Sequence, residues 1–434
     1  MPAAERWVNW ARTVSATPSR WHRPTSEAEV ASIVRECAAT GRRLRVVGSG
    51  HSFSAIAAPD DEAMSLEALG GELVIDRARN LVTVPGGMTL RHLTDHLART
   101  GLSLPIVGSI QAQTVAGAIA TGTHGSSLVH GNLATLATSI RIVTGSGELL
   151  TIDEDDPRIH GVRVHLGALG VVTAVTLRTK PTALLHQTIE HLPVAEAVDQ
   201  LSAIATSAEW VKVWWLPHAA TMQVVRYAVT TERITRRPTA RTQRRIDERV
   251  MHRALFPAMV AFQHRRPTVT AGLNRRLSRF YLGAMSQVGP DMLMLNTPMP
   301  LRHRETEAAL PVSAASDAVK RVVELFRDGR PAVNFPLEIR FVRGDETWLS
   351  PAYGADTCQI GAYTTDGPDC ASYFDGFWAA MRPMGARPHW GKELDHTAAD
   401  IRDMYPRYDD FVALRESWDP AGVFRGPFHD RLLG

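Results

Sequence analysis

Along residues 26–41 the apolar positions Val30, Ile33, Val34 and Cys37 recur three and four apart, the spacing of one helical face. Ser26 stands before the run as an N-cap and Glu29, three positions on, completes a capping box. Gly41 supplies the stop. Residues 43–47 read as a strand running straight into Gly48-Ser49-Gly50-His51-Ser52, and further strands are predicted at 73–75 and 81–84. Leu90, Leu93 and Leu97 share one face of a second helix that Gly101 closes. Over 138–152, Ile140, Ile142 and Thr144 alternate with Arg141 and Val143, and Gly145-Ser146-Gly147 turns the chain into a returning strand. Another alternating run, 171–179, ends at Lys180-Pro181.

Many short strands without strict strand–helix alternation favour an α+β fold over a doubly wound sheet. At 434 residues two or three structural units are expected, with the first boundary near residue 180. Beyond it the texture changes. Trp210, Trp214 and Trp215 lie in a strand-like VKVWWLP, where they suit a core better than a substrate platform. Residues 331–345 alternate through Val333, Phe335, Leu337, Ile339 and Phe341, as in a strand with one apolar face. No internal repeat or low-complexity tract is present.

A content of 44% hydrophobic and 21% charged residues is that of an ordinary soluble protein, and a formal charge of +3 says little about partners. Three widely spaced cysteines, Cys37, Cys358 and Cys370, argue against a disulfide framework, and Cys37 falls on the apolar helix face. The opening residues carry no secretory pattern and no stretch approaches roughly 18 apolar residues, so the cytoplasm is the expected location. One segment stands out by charge. Residues 233–279 hold thirteen arginines, from Arg233 to Arg279, opposed only by Asp247 and Glu248. Such a stretch is either a solvated face or a peripheral contact for an anionic membrane or an acidic partner. No recognition motif accompanies it, so nucleic-acid binding is not expected.

Two glycine-containing segments carry candidate chemistry. In Gly48-Ser49-Gly50-His51-Ser52 the glycines leave backbone N–H groups free to surround a phosphate, or else form a tight turn. No P-loop lysine follows, and Phe53 stands where a dinucleotide fingerprint needs its third glycine. In Thr114-Val115-Ala116-Gly117-Ala118-Ile119-Ala120-Thr121-Gly122-Thr123-His124-Gly125 the small residues suit a backbone lying close to a large flat ligand. Thr114, Thr121 and Thr123 add donors for phosphate or ring oxygens. His124 and His130 lack a carboxylate or cysteine at ligand spacing, so no metal site is expected.

RVVGSGHSFS at 45–54 and TVAGAIATGTHG at 114–125 resemble the two flavin segments of the vanillyl-alcohol-oxidase superfamily, in its aldonolactone oxidoreductase and alditol oxidase branch. GALGVVTAVTLRTKP at 167–181, RPHWGK at 387–392 and the tail YPRYDDFVALRESWDPAGVFRGPF resemble later blocks of that branch, in order. FPLEIRFV and ADTC look closest to bacterial L-gulono-1,4-lactone dehydrogenases. The resemblance implies a two-domain α+β fold: an FAD-binding domain of PCMH type at 1–180 and a cap with an antiparallel sheet at 181–385. Residues 386–434 would return to the active site.

It further implies FAD bonded to His51, with Gly48, Ser49, Gly50, Ser52 and Phe53 around the pyrophosphate. Thr114, Gly117, Gly122, Thr123, His124 and His389 would complete the cofactor site, and Glu338, Arg340 and Lys392 would be catalytic. In that scheme Lys392 or Arg340 stabilises charge developing on the reduced ring, while Glu338 orients the substrate hydroxyl or accepts its proton. The implied reaction oxidises an aldono-1,4-lactone at C2. The alternative is oxidation of an alditol at C1 with production of hydrogen peroxide. Oxygen, a dye or a cytochrome is left open as electron acceptor. A rival from another class, a flavin-binding scaffold without catalysis, would have lost Glu338, Arg340 and Lys392, and all three are present.

Overall fold

The computed structural model describes residues 5–235, 256–281, 286–297, 299 and 301–434. The first predicted helix spans Glu27–Thr40, where Ser26 Oγ accepts the Glu29 N–H at 3.3 Å and Gly41 takes a left-handed φ of 64°. Glu29 does not close the expected capping box. Its carboxylate instead accepts the Thr25 N–H at 2.7 Å and the Thr25 hydroxyl at 3.1 Å, one residue upstream of Ser26. This helix packs Val30, Val34 and Cys37 against Leu44 and Met64 of a three-stranded parallel sheet ordered Arg20–His22, Glu62–Ser65, Leu44–Val47.

A five-stranded antiparallel sheet follows, ordered Leu149–Asp153, Ala137–Val143, Val171–Arg178, Leu81–Pro85, Val74–Asp76. Its hairpin and flanking strands match the predicted alternation. The small-residue segment had suggested only backbone open to a ligand, yet it forms a short helix, Val115–Ala120, capped by the Thr114 hydroxyl.

The chain then enters an eight-stranded antiparallel sheet. Its order is Gln287–Pro290, Leu184–Pro193, Thr221–Thr230, Trp210–Trp215, Leu337–Val342, Thr357–Thr364, Arg304–Pro311, Arg387–Pro388. The strand predicted over 331–345 begins only at Leu337, although Val333 and Phe335 before it are buried. One sheet face is apolar: Val213, Ile339, Phe341 and Ile360 pack under the helices Ala315–Glu324 and Cys370–Met381. The opposite face turns toward the first half of the chain and is polar.

Residues after the edge strand Arg387–Pro388 travel back. Trp390, Tyr405, Phe411, Trp418 and Leu432 join the same core as Val84, Leu93, Ile140 and Val175 from the first half. Of the arginine-rich stretch, Arg236 through Arg253 lie outside the described residues, while Arg265, Arg266, Arg275 and Arg276 are exposed.

Where the chain crosses between sheets, buried Asp291 gathers five donors: Ser103 Oγ at 2.7 Å, Lys180 Nζ and the Met292 N–H at 2.8 Å, the Ala183 N–H at 3.2 Å and Thr182 Oγ1 at 3.3 Å. Removing a buried acceptor strands its donors without water. Asp291→Ala is expected to cost on the order of 3 kcal/mol, read by urea unfolding, and an unchanged midpoint would show that these contacts carry no stability.

Candidate functional site

The pleat sends alternate side chains to one side, so Glu305 with Glu307, Glu338 with Arg340, and Lys212 with Trp214 share the polar face. Register aligns them across strands: Trp214, Glu338, Gly361 and Glu307 form one row, Lys212 and Arg340 a second, Tyr363 and Glu305 a third. Buried carboxylates persist only when paired, and each here has a partner.

Glu338 Oε1 accepts Trp214 Nε1–H at 2.8 Å and faces Lys212 Nζ at 3.7 Å. Glu338 Oε2 pairs with Arg340 and accepts the Tyr363 hydroxyl at 3.0 Å. Burial alone would raise the carboxyl, but Arg340 and Lys212 overcome it and hold Glu338 at about 2. Arg340 also donates to Ser109 Oγ at 2.6 Å. Lys392 pairs with Glu305 and lies over the Phe53 ring, 5.0 Å from its centroid.

Glu307 Oε1 meets His124 Nε2 at 2.8 Å, and His124 Nδ1 donates to the Gly125 carbonyl at 2.9 Å, since a carbonyl only accepts. Burial opposes ionisation of Glu307, yet His124 keeps its carboxyl far below the usual range. Burial pushes His389 down to about 3, and its Nδ1 accepts the Gly391 N–H at 3.0 Å. The proton of that neutral ring therefore stands on Nε2. His124, Glu307 and His389 bring ligand-type atoms within 4.8 Å of one another, a juxtaposition that sequence spacing did not reveal. Within the group His124 and Glu307 hydrogen-bond to each other, and His389 accepts from Gly391. His130, the partner considered from sequence, pairs instead with Glu209 at 2.9 Å.

Between this face and the first half runs a cleft of adjoining cavities. One, of about 580 Å³, is bordered by Arg45, the 48–52 loop, Gln113, Thr114 and Gly167. It shares His51, Ser52, Gln113 and Thr121 with a second, of about 600 Å³, that reaches Glu305, Glu307, Arg340, Tyr363 and Lys392. A third, of about 1070 Å³, extends past Gly48, Ser49 and Thr114 to Gly86 and Gly87. Gly48 is required by close approach, because a Cβ there would lie 2.6 Å from Thr114 Oγ1. His51 stacks on Trp10 at 5.6 Å, and its Nδ1 is buried without a hydrogen-bond partner among the described residues. Burial, then Lys392, lowers its pKa.

Of the residues expected at the site, Gly48, Ser49, Gly50, His51, Ser52, Thr114, Gly117, Thr123, His124, His389, Arg340 and Lys392 border this cleft. Three do not. Phe53 turns its ring into a cluster with Trp10 and His303. Gly122 stops the short helix with φ of 66° beside Pro351. Glu338 lies behind Arg340, its oxygens already engaged. Reading the sequence missed Glu305, Glu307, Tyr363 and Arg45. A signal existed for the first pair: Arg-Glu-Thr-Glu before Ala-Ala-Leu-Pro places acids at alternate positions of an apolar strand, as Leu-Glu-Ile-Arg does.

Comparison with known proteins accords with this geometry. Residues 18–153 match the model for an FAD binding domain, and residues 175–432, more than half the chain, match that for D-arabinono-1,4-lactone oxidase. An L-gulono-1,4-lactone dehydrogenase of Mycobacterium tuberculosis is 35% identical over 99% of both chains. An alditol oxidase of a Streptomyces species is 31% identical over 98% of both. Among solved structures, cholesterol oxidase from B. sterolicum superimposes with a TM-score of 0.84 over 99% of this chain and 96% of its own, at 16% identity, a likeness of fold alone. The expected α+β fold and the FAD cofactor are thereby established, and the chain belongs to the D-arabinono-1,4-lactone oxidase family.

Proposed function

We propose that this protein oxidises an aldono-1,4-lactone at its C2 hydroxyl, passing the electrons through FAD to a separate acceptor. The second cavity carries the reading: it sets two cations, Arg340 and Lys392, and a buried carboxylate, Glu305, beside the loop of His51. FAD fits the residues of the cleft. The 48–50 loop crowds Thr114 so closely that Gly48 has no room for a side chain, buried Arg45 borders the same space, and His51 Nδ1 has no partner among the described residues.

Bound FAD supplies a two-electron acceptor for the hydride of the carbinol carbon. The chain supplies the rest. Arg340 and Lys392 donate hydrogen bonds to ring and hydroxyl oxygens of a lactone, and each is fixed by its own carboxylate, so neither must reorganise during reaction. Glu338 serves this site as the anchor of Arg340. In this reading residues 1–180 form the flavin-binding unit and 181–385 the cap, with 386–434 returning to bring Lys392 to the cavity.

The full-length likeness to an alditol oxidase supports a second reading, oxidation of a polyol at C1. Purified holoenzyme is expected to reduce a dye acceptor with L-gulono-1,4-lactone faster than with xylitol. The reverse order, with peroxide formed, would favour the alditol, and turnover of neither would remove both readings.

The orphaned Nδ1 supports a covalent flavin link through His51. Acid precipitation is expected to leave yellow flavin in the wild-type pellet and release it from His51→Ala. Flavin released from both would mean a noncovalent cofactor.

Among the described residues no helix is long and apolar enough to cross a membrane. The exposed Arg265, Arg266, Arg275 and Arg276, with exposed Phe262 nearby, support peripheral contact with an anionic bilayer from the cytoplasmic side. Flotation with phosphatidylserine vesicles is expected to carry the protein at low salt. Protein that stays with the unbound fraction in those conditions would remove the contact.

A further inference from the structure

We propose that Glu305 is the catalytic residue that takes the proton of the substrate hydroxyl, an assignment that rests on the proposed oxidation. Three carboxylates occupy the polar sheet face, and geometry separates them. Glu338 has both oxygens engaged and does not border the substrate cavity. Glu307 borders it but shares a proton contact with His124. Glu305 borders the cavity with Oε2 on Lys392, while its buried Oε1 has no hydrogen-bond partner among the described residues. A proton can therefore settle on Oε1 without displacing Lys392.

The groups facing Glu305 are Lys392 from the chain's return, Glu307 on its own strand, Tyr363 from the adjacent strand, Arg340 from the strand beyond it, and His303 just upstream. Burial, reinforced by Glu307, raises Glu305 against the pull of Lys392 and Arg340. Its neighbour Glu307 is held low, so two carboxylates on one strand face are driven apart, the arrangement that divides acid–base roles. His303 lies buried beside the pair. Its Nδ1 donates to the Leu301 carbonyl at 2.7 Å, burial keeps the ring neutral at about 4, and its Nε2 lone pair lies 3.9 Å from Glu305 Oε2.

In the step itself the O–H bond breaks and its proton passes to the Glu305 carboxylate, giving the neutral acid. The carbinol C–H bond breaks with its electron pair leaving to the flavin, and the carbon becomes a carbonyl. A base must be ionised to act, so activity falls as pH drops through its raised pKa.

The test compares wild-type holoenzyme with Glu305→Gln, Glu305→Asp and Glu338→Gln, each checked for full flavin content. Glu305→Gln is expected to lower kcat by about 10²–10⁴-fold and to abolish the acid limb of the kcat/KM profile with L-gulono-1,4-lactone. Glu305→Asp restores the limb at reduced rate, and Glu338→Gln raises KM while keeping it. Infrared titration of the holoenzyme without substrate supplies a readout independent of turnover: in the wild-type-minus-Glu305→Gln difference, the carbonyl stretch of one protonated carboxyl grows at a pH above the usual carboxylate range, and Glu305→Gln lacks that component. An acid limb or an infrared band that survives in Glu305→Gln overturns the assignment. Wild-type enzyme that turns over neither lactone nor xylitol removes the proposed function instead, and the infrared titration then decides on Glu305 by itself.

Discussion

Charge removed from water has to be answered by charge, and that constraint organises this molecule. Glu305, Glu307 and Glu338 are each almost wholly buried on one face of the eight-stranded sheet. An unanswered carboxylate there would cost several kcal/mol. The answers come from different parts of the chain: Arg340 from the sheet, Lys392 from the returning C-terminal segment, His124 from the first half. Pairing the sheet's charges therefore also fixes three separate stretches of chain around one cavity. The apolar opposite face supplies the burial energy, and the polar face decides what must sit across from it.

The same logic operates at the other end of the cleft. Arg45 is buried without a carboxylate in hydrogen-bond contact and is met by carbonyls: Phe424 at 2.7 Å, Arg425 and Gly167 at 3.1 Å. Burial lowers it to about 10, which still leaves it charged at neutral pH. A cation satisfied by carbonyl dipoles retains its field, and that field faces the space where an anionic cofactor belongs. Glycines open the space, Arg45 gives it a sign, and Lys392 with Arg340 repeat that sign at the substrate end.

What could be read from sequence follows from distance along the chain. The helix Glu27–Thr40, the hairpin of Ala137–Val143 with Leu149–Asp153 and the strand Leu337–Val342 each announce themselves locally, through period and turn chemistry. Glu338 and Arg340 were legible because alternation puts both on one face, yet their division of labour was not. Which of them borders the cavity depends on Trp214 and Lys212, more than a hundred residues earlier. Glu307 and His124 stand 183 positions apart, and Arg45 meets a histidine 384 positions away. No local pattern encodes such partners. Phe53 lies in a recognisable segment that implied cofactor contact, and its ring completes a cluster with Trp10 and His303 that the segment itself does not encode.

The carbonyls that satisfy Arg45 and the lysine that answers Glu305 are among the last parts of the cleft to be synthesised. As a nascent chain leaves the ribosome, the glycine loop, the small-residue helix and most of the sheet emerge while Arg45 still lacks Phe424 and Arg425, and Glu305 still lacks Lys392. Domains generally fold in the order they are made, but this cleft spans that order. Its completion therefore waits until Lys392 and Arg425 have been made.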